Sequence, residues 1–148
     1  NVVKKEIMWE DDKISGTQKT YFADGSVQSE TAYVNGLAEG MARSYDEAGR
    51  LVRESQMKAG RRNGLMREFW PESNKLSKEV PYLDGKVHGV VKEYYANGQL
   101  KRELPFRDNL QHGVERQYEA DGKLTRTRFW LKGDEASEED YNKLKDKP

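Results

Sequence analysis

A glycine returns about every 24 residues along this chain, and that period constrains the fold more than any other feature. Gly16, Gly40, Gly64, Gly89 and Gly113 are spaced by 24, 24, 25 and 24 residues, and an aromatic follows each by five: Tyr21, Tyr45, Phe69, Tyr94 and Tyr118. A turn residue comes next (Gly25, Gly49, Asn74, Gly98, Gly122), then an aliphatic (Val27, Leu51, Leu76, Leu100, Leu124). Glu30, Glu54, Glu79 and Glu103 recur in phase, with Thr127 the exception, followed by Tyr33, Met57, Tyr82, Phe106 and Trp130. Each unit closes on a second turn at Gly36, Gly60, Gly85, Asn109 or Gly133. Glu6, Ile7 and Trp9 fit the second half of an earlier unit, so the array opens with a half repeat. Five phased copies of one unit predict a repeat architecture in which neighbours cover one another.

Composition agrees with that reading. Only 34% of residues are hydrophobic against 35% charged, too few for a large central core to offset chain entropy. With no Cys, the chain has no disulfide framework, thiolate zinc site or Cys nucleophile. Equal numbers of acids and bases give no bulk attraction for nucleic acid. No apolar run approaches a membrane span. The first residue is Asn1 rather than Met, so localisation stays open between the cytoplasm and export after removal of a leader.

Turn chemistry identifies the unit as a β-hairpin. Ala23-Asp24-Gly25, Ala96-Asn97-Gly98 and Ala120-Asp121-Gly122 place Asn or Asp before Gly between runs rich in Tyr, Val and Leu. A two-residue loop would set Lys92 opposite Glu103, whereas a three-residue loop with a Gly bulge would set Tyr94 opposite Leu100 and Tyr118 opposite Leu124. Alternation favours the second register, with Val90, Tyr94, Leu100, Leu104 and Phe106 on one face. The expected fold is all-β: an elongated, single-layer, twisted antiparallel sheet of about eleven strands over residues 1–133. Residues 134–148 form an acidic tail of net charge −3, with Ser137 and Asp140 in capping-box positions. The tail predicts a short helix that places Tyr141 and Leu144 over the exposed end of the sheet, and Trp130 and Phe106, if buried by that helix or by neighbouring strands, are expected to matter more to stability than any charged residue.

Units such as Gly89–Glu103, joined through Asp84-Gly85-Lys86-Val87-His88-Gly89, resemble the variant MORN repeat, and especially bacterial proteins grouped as YwqK-family antitoxins. The resemblance covers about residues 5–133. It implies a hairpin sheet and a non-enzymatic binding role of the antitoxin or immunity type.

The residues themselves offer little catalytic chemistry. His88 and His112 are repeat-equivalent junction residues roughly 10 Å apart, too distant to share a metal. The recurring glutamates have like environments, unlike the dissimilar carboxylate pair of a glycosidase. Neither a catalytic site, a metal nor a cofactor is expected. The conspicuous feature is basic: Lys19, Arg43, Arg67, Lys92 and Arg116 precede the first-strand aromatic by two, and Arg53, Lys78, Arg102 and Arg126 follow the second-strand aliphatic by two. The favoured register puts all nine in one row on the aromatic face, with Glu54 and Glu103 on the opposite face. Such a row either covers the rings with its aliphatic stems or meets an acidic protein surface. The expected partner-binding residues are Arg43, Arg53, Arg67, Lys92, Tyr94, Arg102, Arg116 and Tyr118. The leading expectation is a protein-binding module whose partner is a toxin. A surface-associated protein binding anionic lipid or envelope polymer comes second, and single-stranded nucleic acid third.

Overall fold

The computed structural model describes residues 5–146; the first four residues of the half repeat and Lys147 and Pro148 of the tail lie outside the described residues. The strands are β1 (Lys5–Glu6), β2 (Trp9–Glu10), β3 (Lys13–Ile14), β4 (Gly16–Tyr21), β5 (Val27–Val34), β6 (Leu37–Tyr45), β7 (Leu51–Lys58), β8 (Arg61–Phe69), β9 (Leu76–Leu83), β10 (Lys86–Val87), β11 (Gly89–Tyr94), β12 (Leu100–Arg107), β13 (Leu110–Gln111), β14 (Gly113–Tyr118), β15 (Leu124–Leu131) and β16 (Asp134–Ala136), followed by α1 (Glu138–Leu144). Among the described residues one open antiparallel sheet runs β1-β4-β5-β6-β7-β8-β9-β11-β12-β14-β15-β16, with β10 and β13 attached to β9 and β12 and a separate β2–β3 hairpin. This is the expected repeat of hairpins.

The first turns carry the predicted three-residue loop. Gly98 N donates to Tyr95 O at 2.8 Å and Tyr95 N to Gln99 O at 2.9 Å, and the same pair of bonds closes the loops at Gly25, Gly49 and Gly122. In the third repeat the loop is one residue longer and Asn74 takes the left-handed position, at φ 52°. The second turns have positive φ at both residues, including Asp108 (50°) and Asn109 (72°), the mirror-image turn whose twist suits a two-residue hairpin.

The register beyond the loops corrects the sequence reading. Tyr94 pairs with Leu100 and Tyr118 with Leu124, as expected, but one residue further on a bulge shifts the ladder, and Lys92 pairs with Glu103. The same bulge follows every first turn, displacing Gln28, Val52, Ser77, Lys101 and Thr125. A shift of one residue sends every later side chain of that strand to the other face. Leu104 and Phe106 therefore lie opposite Tyr94, and Val91 takes the buried place expected for Val90, which is 41% exposed.

The two faces now have distinct columns. On the apolar face Met66, Val80, Val91 and Leu104 are only 5–7% exposed and are flanked by Tyr82, Val87 and Phe106. Among the described residues no second layer covers them; Glu68, Lys78, Glu93, Arg102, Tyr82 and Phe106 surround the column. The repeat glycines sit between hairpins. At Gly113, φ is 131° and a Cβ would lie 2.7 Å from Pro105 Cγ, so the residue is fixed both by conformation and by the side chain folded over it. Successive hairpins are also locked through their second turns: the Gly36, Gly60, Gly85, Asn109 and Gly133 amides donate to carbonyls of Ile14, Ala38, Arg62, Val87 and Gln111 in the repeat before.

At the C-terminal end the outer edge is β16, paired with β15. Ser137 caps α1, accepting from Asp140 N at 3.1 Å. Tyr141 rests on Phe129, with ring centroids 5.4 Å apart, while Leu144 is 41% exposed. The helix therefore leans on the face of Phe129, and the edge is closed by a strand.

Candidate functional site

The bulge divides the nine expected cations. Lys19, Arg43, Arg67, Lys92 and Arg116 share the face of Tyr94 and Tyr118, while Arg53, Lys78, Arg102 and Arg126 alternate onto the apolar face. The glutamates expected on the reverse side stand among the first group. Reading across the sheet, Lys19-Glu30-Arg43-Glu54-Arg67-Glu79-Lys92-Glu103-Arg116 are cross-strand neighbours in one alternating ladder. A single basic row is thus replaced by a charge-balanced one, because opposite charges facing each other across strands attract.

Four of the five ladder cations pair within it. Lys19 meets Glu30 at 3.2 Å, and Arg67 reaches Glu54 at 3.3 Å and Glu79 at 3.1 Å. Tyr45 and Tyr118 hydroxyls donate to Glu30 and Glu103 at 3.1 and 3.0 Å. The hydrogen bond from Lys19, assisted by that from Tyr45 and opposed by burial, holds Glu30 below the ordinary carboxylate range. Burial and then the Glu103 contact raise Tyr118, and burial with the charges of Glu79 and Glu103 raises Tyr94.

The apolar face carries the clefts. One, of about 620 Å³, is lined by Ser29, Thr31, Ser44 and Ser55, by Tyr33, Met57 and Tyr82, and by Arg43, Arg53, Arg61 and Arg62. No carboxylate is among its lining residues. Arg53 is engaged by Glu68 at 2.7 Å and Arg43 by Glu54 at 3.9 Å, while Arg61 and Arg62 have no ion pair among the described residues. The Arg62 guanidinium instead lies over the Tyr82 ring, 5.4 Å from its centroid, a cation-π arrangement. A second cleft of about 340 Å³ adjoins at Tyr82, floored by the Met66-Val80-Val91-Leu104 column and edged by Glu68, Lys78, Glu93 and Arg102.

Beyond the apolar column lies a buried carboxylate. Glu115 is 1% exposed. It accepts from Arg102 Nε and Nη2 at 3.0 and 2.8 Å, from Gln117 Nε2 at 2.8 Å and from Trp130 Nε1 at 2.8 Å. Burial pushes its carboxyl up, but the donors from Gln117, Arg102 and Trp130 outweigh it and hold the group below its usual range. Arg128, its cross-strand neighbour, has a buried Nε without a hydrogen bond, 3.7 Å from Glu135.

Of the expected binding residues, Arg53 reaches the first cleft and Arg102 the second; Arg43, which borders the first cleft, pairs with Glu54 and belongs with Arg67, Lys92, Tyr94, Arg116 and Tyr118 to the ladder face. Sequence reasoning passed over Arg61, Arg62 and Glu115, although Arg62 and Glu115 break the repeat. Arg61-Arg62 stand where other units have Leu37-Ala38, Lys86-Val87 or Leu110-Gln111, and Glu115 stands in the column of Ala42, Met66 and Val91. The junction residues reach forward to the next second turn: Glu39 accepts from Ala59 N at 2.8 Å, Asn63 donates to Asp84, His88 approaches Asp108 at 3.5 Å and His112 Nδ1 accepts from Lys132 N at 3.3 Å. Both histidines thus occupy a joint between repeats.

No curated protein matches the chain. The family described as the MORN repeat variant matches residues 14–35, 87–108 and 111–131, each of which spans one hairpin of the sheet. Repeats of this kind are generally non-catalytic protein- or lipid-binding modules. Three hairpins of the chain are thus similar to the MORN repeat variant, and the open sheet of successive hairpins is consistent with that repeat fold.

Proposed function

We propose that this protein is a non-enzymatic protein-binding module that holds its partner against the cleft-bearing apolar face, and that it acts as an antitoxin or immunity protein, neutralising the toxin it holds. The observation that carries the choice of face is the contrast in charge pairing: four of the five ladder cations lie within 4.0 Å of a ladder glutamate, whereas Arg61 and Arg62, which line the first cleft, have no ion pair among the described residues. Arg, Tyr and Met, which line the first cleft, are also the residue types enriched where protein interfaces are tightest. Arg53 and Arg102 accordingly stay in the proposed contact set, and Arg43, Arg67, Lys92, Tyr94, Arg116 and Tyr118 are assigned to holding the sheet together.

The test is co-expression with the product of the adjacent gene. Growth arrest by that product alone, relieved by this chain and restored by Arg53→Ala with Arg62→Ala, is the expected result. If Arg67→Ala and Tyr94→Ala abolish relief in a folded protein while the cleft variants do not, the ladder face is the binding surface. Saturable binding only to vesicles rich in anionic lipid, collapsing with added salt, would replace the partner protein with a membrane.

A further inference from the structure

The two clefts differ in chemistry and lie in a row across the strands. The first draws on β5 to β9 and is lined by Arg53, Arg61 and Arg62 and a cluster of hydroxyls. The second draws on β8 to β12 and has an apolar floor, with charges of both signs along one edge. Tyr82 belongs to both, and Arg62 is held over its ring at the seam. Together they cross seven strands, which at about 4.8 Å per strand makes a trough of roughly 30 Å. That length is too great for a single small ligand and corresponds to about nine residues of extended chain.

Chemistry restricts the occupant further. Arg61 and Arg62 sit on a rim without acidic residues, so the group that approaches them is anionic, and two guanidiniums suit two carboxylates. The Met66-Val80-Val91-Leu104 floor gains nothing from charge and takes a bulky apolar side chain. Arg62 of the first cleft stands on β8 and Phe106 of the second on β12. Three strand spacings separate them, about 14 Å, which extended chain spans in about four residues.

We infer that the two clefts act as one site for an extended segment of a partner protein in which paired carboxylates stand about four residues from a bulky apolar anchor. The carboxylates meet Arg61 and Arg62, and the anchor enters beside Phe106. This rests on the protein-binding reading above and adds the chemistry of the partner.

The test uses the full chain and a fluorescein-labelled peptide, Gly-Ser-Glu-Glu-Ser-Gly-Ser-Phe-Leu-Gly-Ser, followed by fluorescence anisotropy. A second peptide of the same composition places Phe-Leu directly after Glu-Glu. The spaced peptide binds saturably and about fivefold or more tighter than the contracted one, and Arg61→Gln with Arg62→Gln weakens it by about tenfold, the loss of roughly 1.4 kcal/mol. Both arginines are exposed, so an unchanged circular dichroism melt shows that the double variant is folded. Equal affinity for the two peptides, indifference to the double variant, or no saturation by roughly 1 mM overturns the inference. Sedimentation of the chain alone supplies one more outcome: self-association abolished by the double variant would assign the trough to the acidic tail of a second copy and overturn it. If the cognate protein is captured through the cleft face while the peptide results fail, the protein-binding reading stands and only this extension falls; if neither binds, both fall.

Discussion

Removing the Glu115 carboxylate has an effect that can be worked out from its surroundings. The residue is 1% exposed and accepts four hydrogen bonds, two from Arg102 and one each from Gln117 and Trp130. Glu115→Ala strips these donors of their shared acceptor and leaves a cavity at the end of the apolar column. Breaking a buried ion pair from one side costs about 3–5 kcal/mol. Here the value falls at the lower end, about 3 kcal/mol, because the Arg102 side chain is 31% exposed and its head can turn to water. Replacing the pair together, Glu115→Leu with Arg102→Leu, restores apolar contact with Leu104 and recovers most of the loss, since a well-packed apolar substitute is often as stable as the pair. The assay is urea denaturation followed by tryptophan fluorescence and far-ultraviolet circular dichroism, with Trp130 beside the perturbed group. In a repeat array the damage concentrates in the last hairpins, so the fluorescence transition should precede the dichroism transition in the Ala variant. A loss below about 0.5 kcal/mol, or a double variant less stable than Glu115→Ala, would refute the reasoning.

The bulged register is checked by Leu104→Ala, expected to cost about 2–5 kcal/mol, against Val90→Ala, expected to cost under about 1, in parallel denaturant melts; the reverse order would return Val90 to the core. Gly113→Ala combines left-handed strain with Pro105 at 2.7 Å, whereas Gly122→Ala at φ 89° meets no atom within 4 Å; the first should lose at least about 2 kcal/mol and the second about 1. Glu30 and Glu115 are both held below the ordinary glutamate value of about 4.3. The unfolded chain therefore binds more protons just below that value, and stability is full above it and declines as the pH falls through the folded values. Glu115→Gln should flatten that decline in acid melts, and an unchanged slope would remove Glu115 as its source.

Much of the fold is local chemistry repeated in phase, and so it is legible without coordinates. The 24-residue glycine period sets the hairpin unit, Asp or Asn before Gly sets the three-residue loops, Asn74 stands in for glycine, and Ser137 starts the helix. Each of these depends on residues a few positions apart, where conformational preference and a single hydrogen bond decide the outcome. The MORN likeness follows from the same signals.

What the tertiary structure alone decided is which face each side chain occupies and what it meets there. A strand repeats every two residues, so one bulged residue after each first turn exchanges the faces of everything beyond it, and no property of Lys101 or Val52 announces a bulge. That exchange places the glutamates among the cations of the ladder, moves Val91 and Leu104 into the core, and brings Arg53 and Arg102 to the clefts. The burial of Glu115 and the joining of two clefts at Tyr82 depend on neighbours a full repeat or more away, because burial and charge pairing in a sheet are set by adjacent strands rather than adjacent residues.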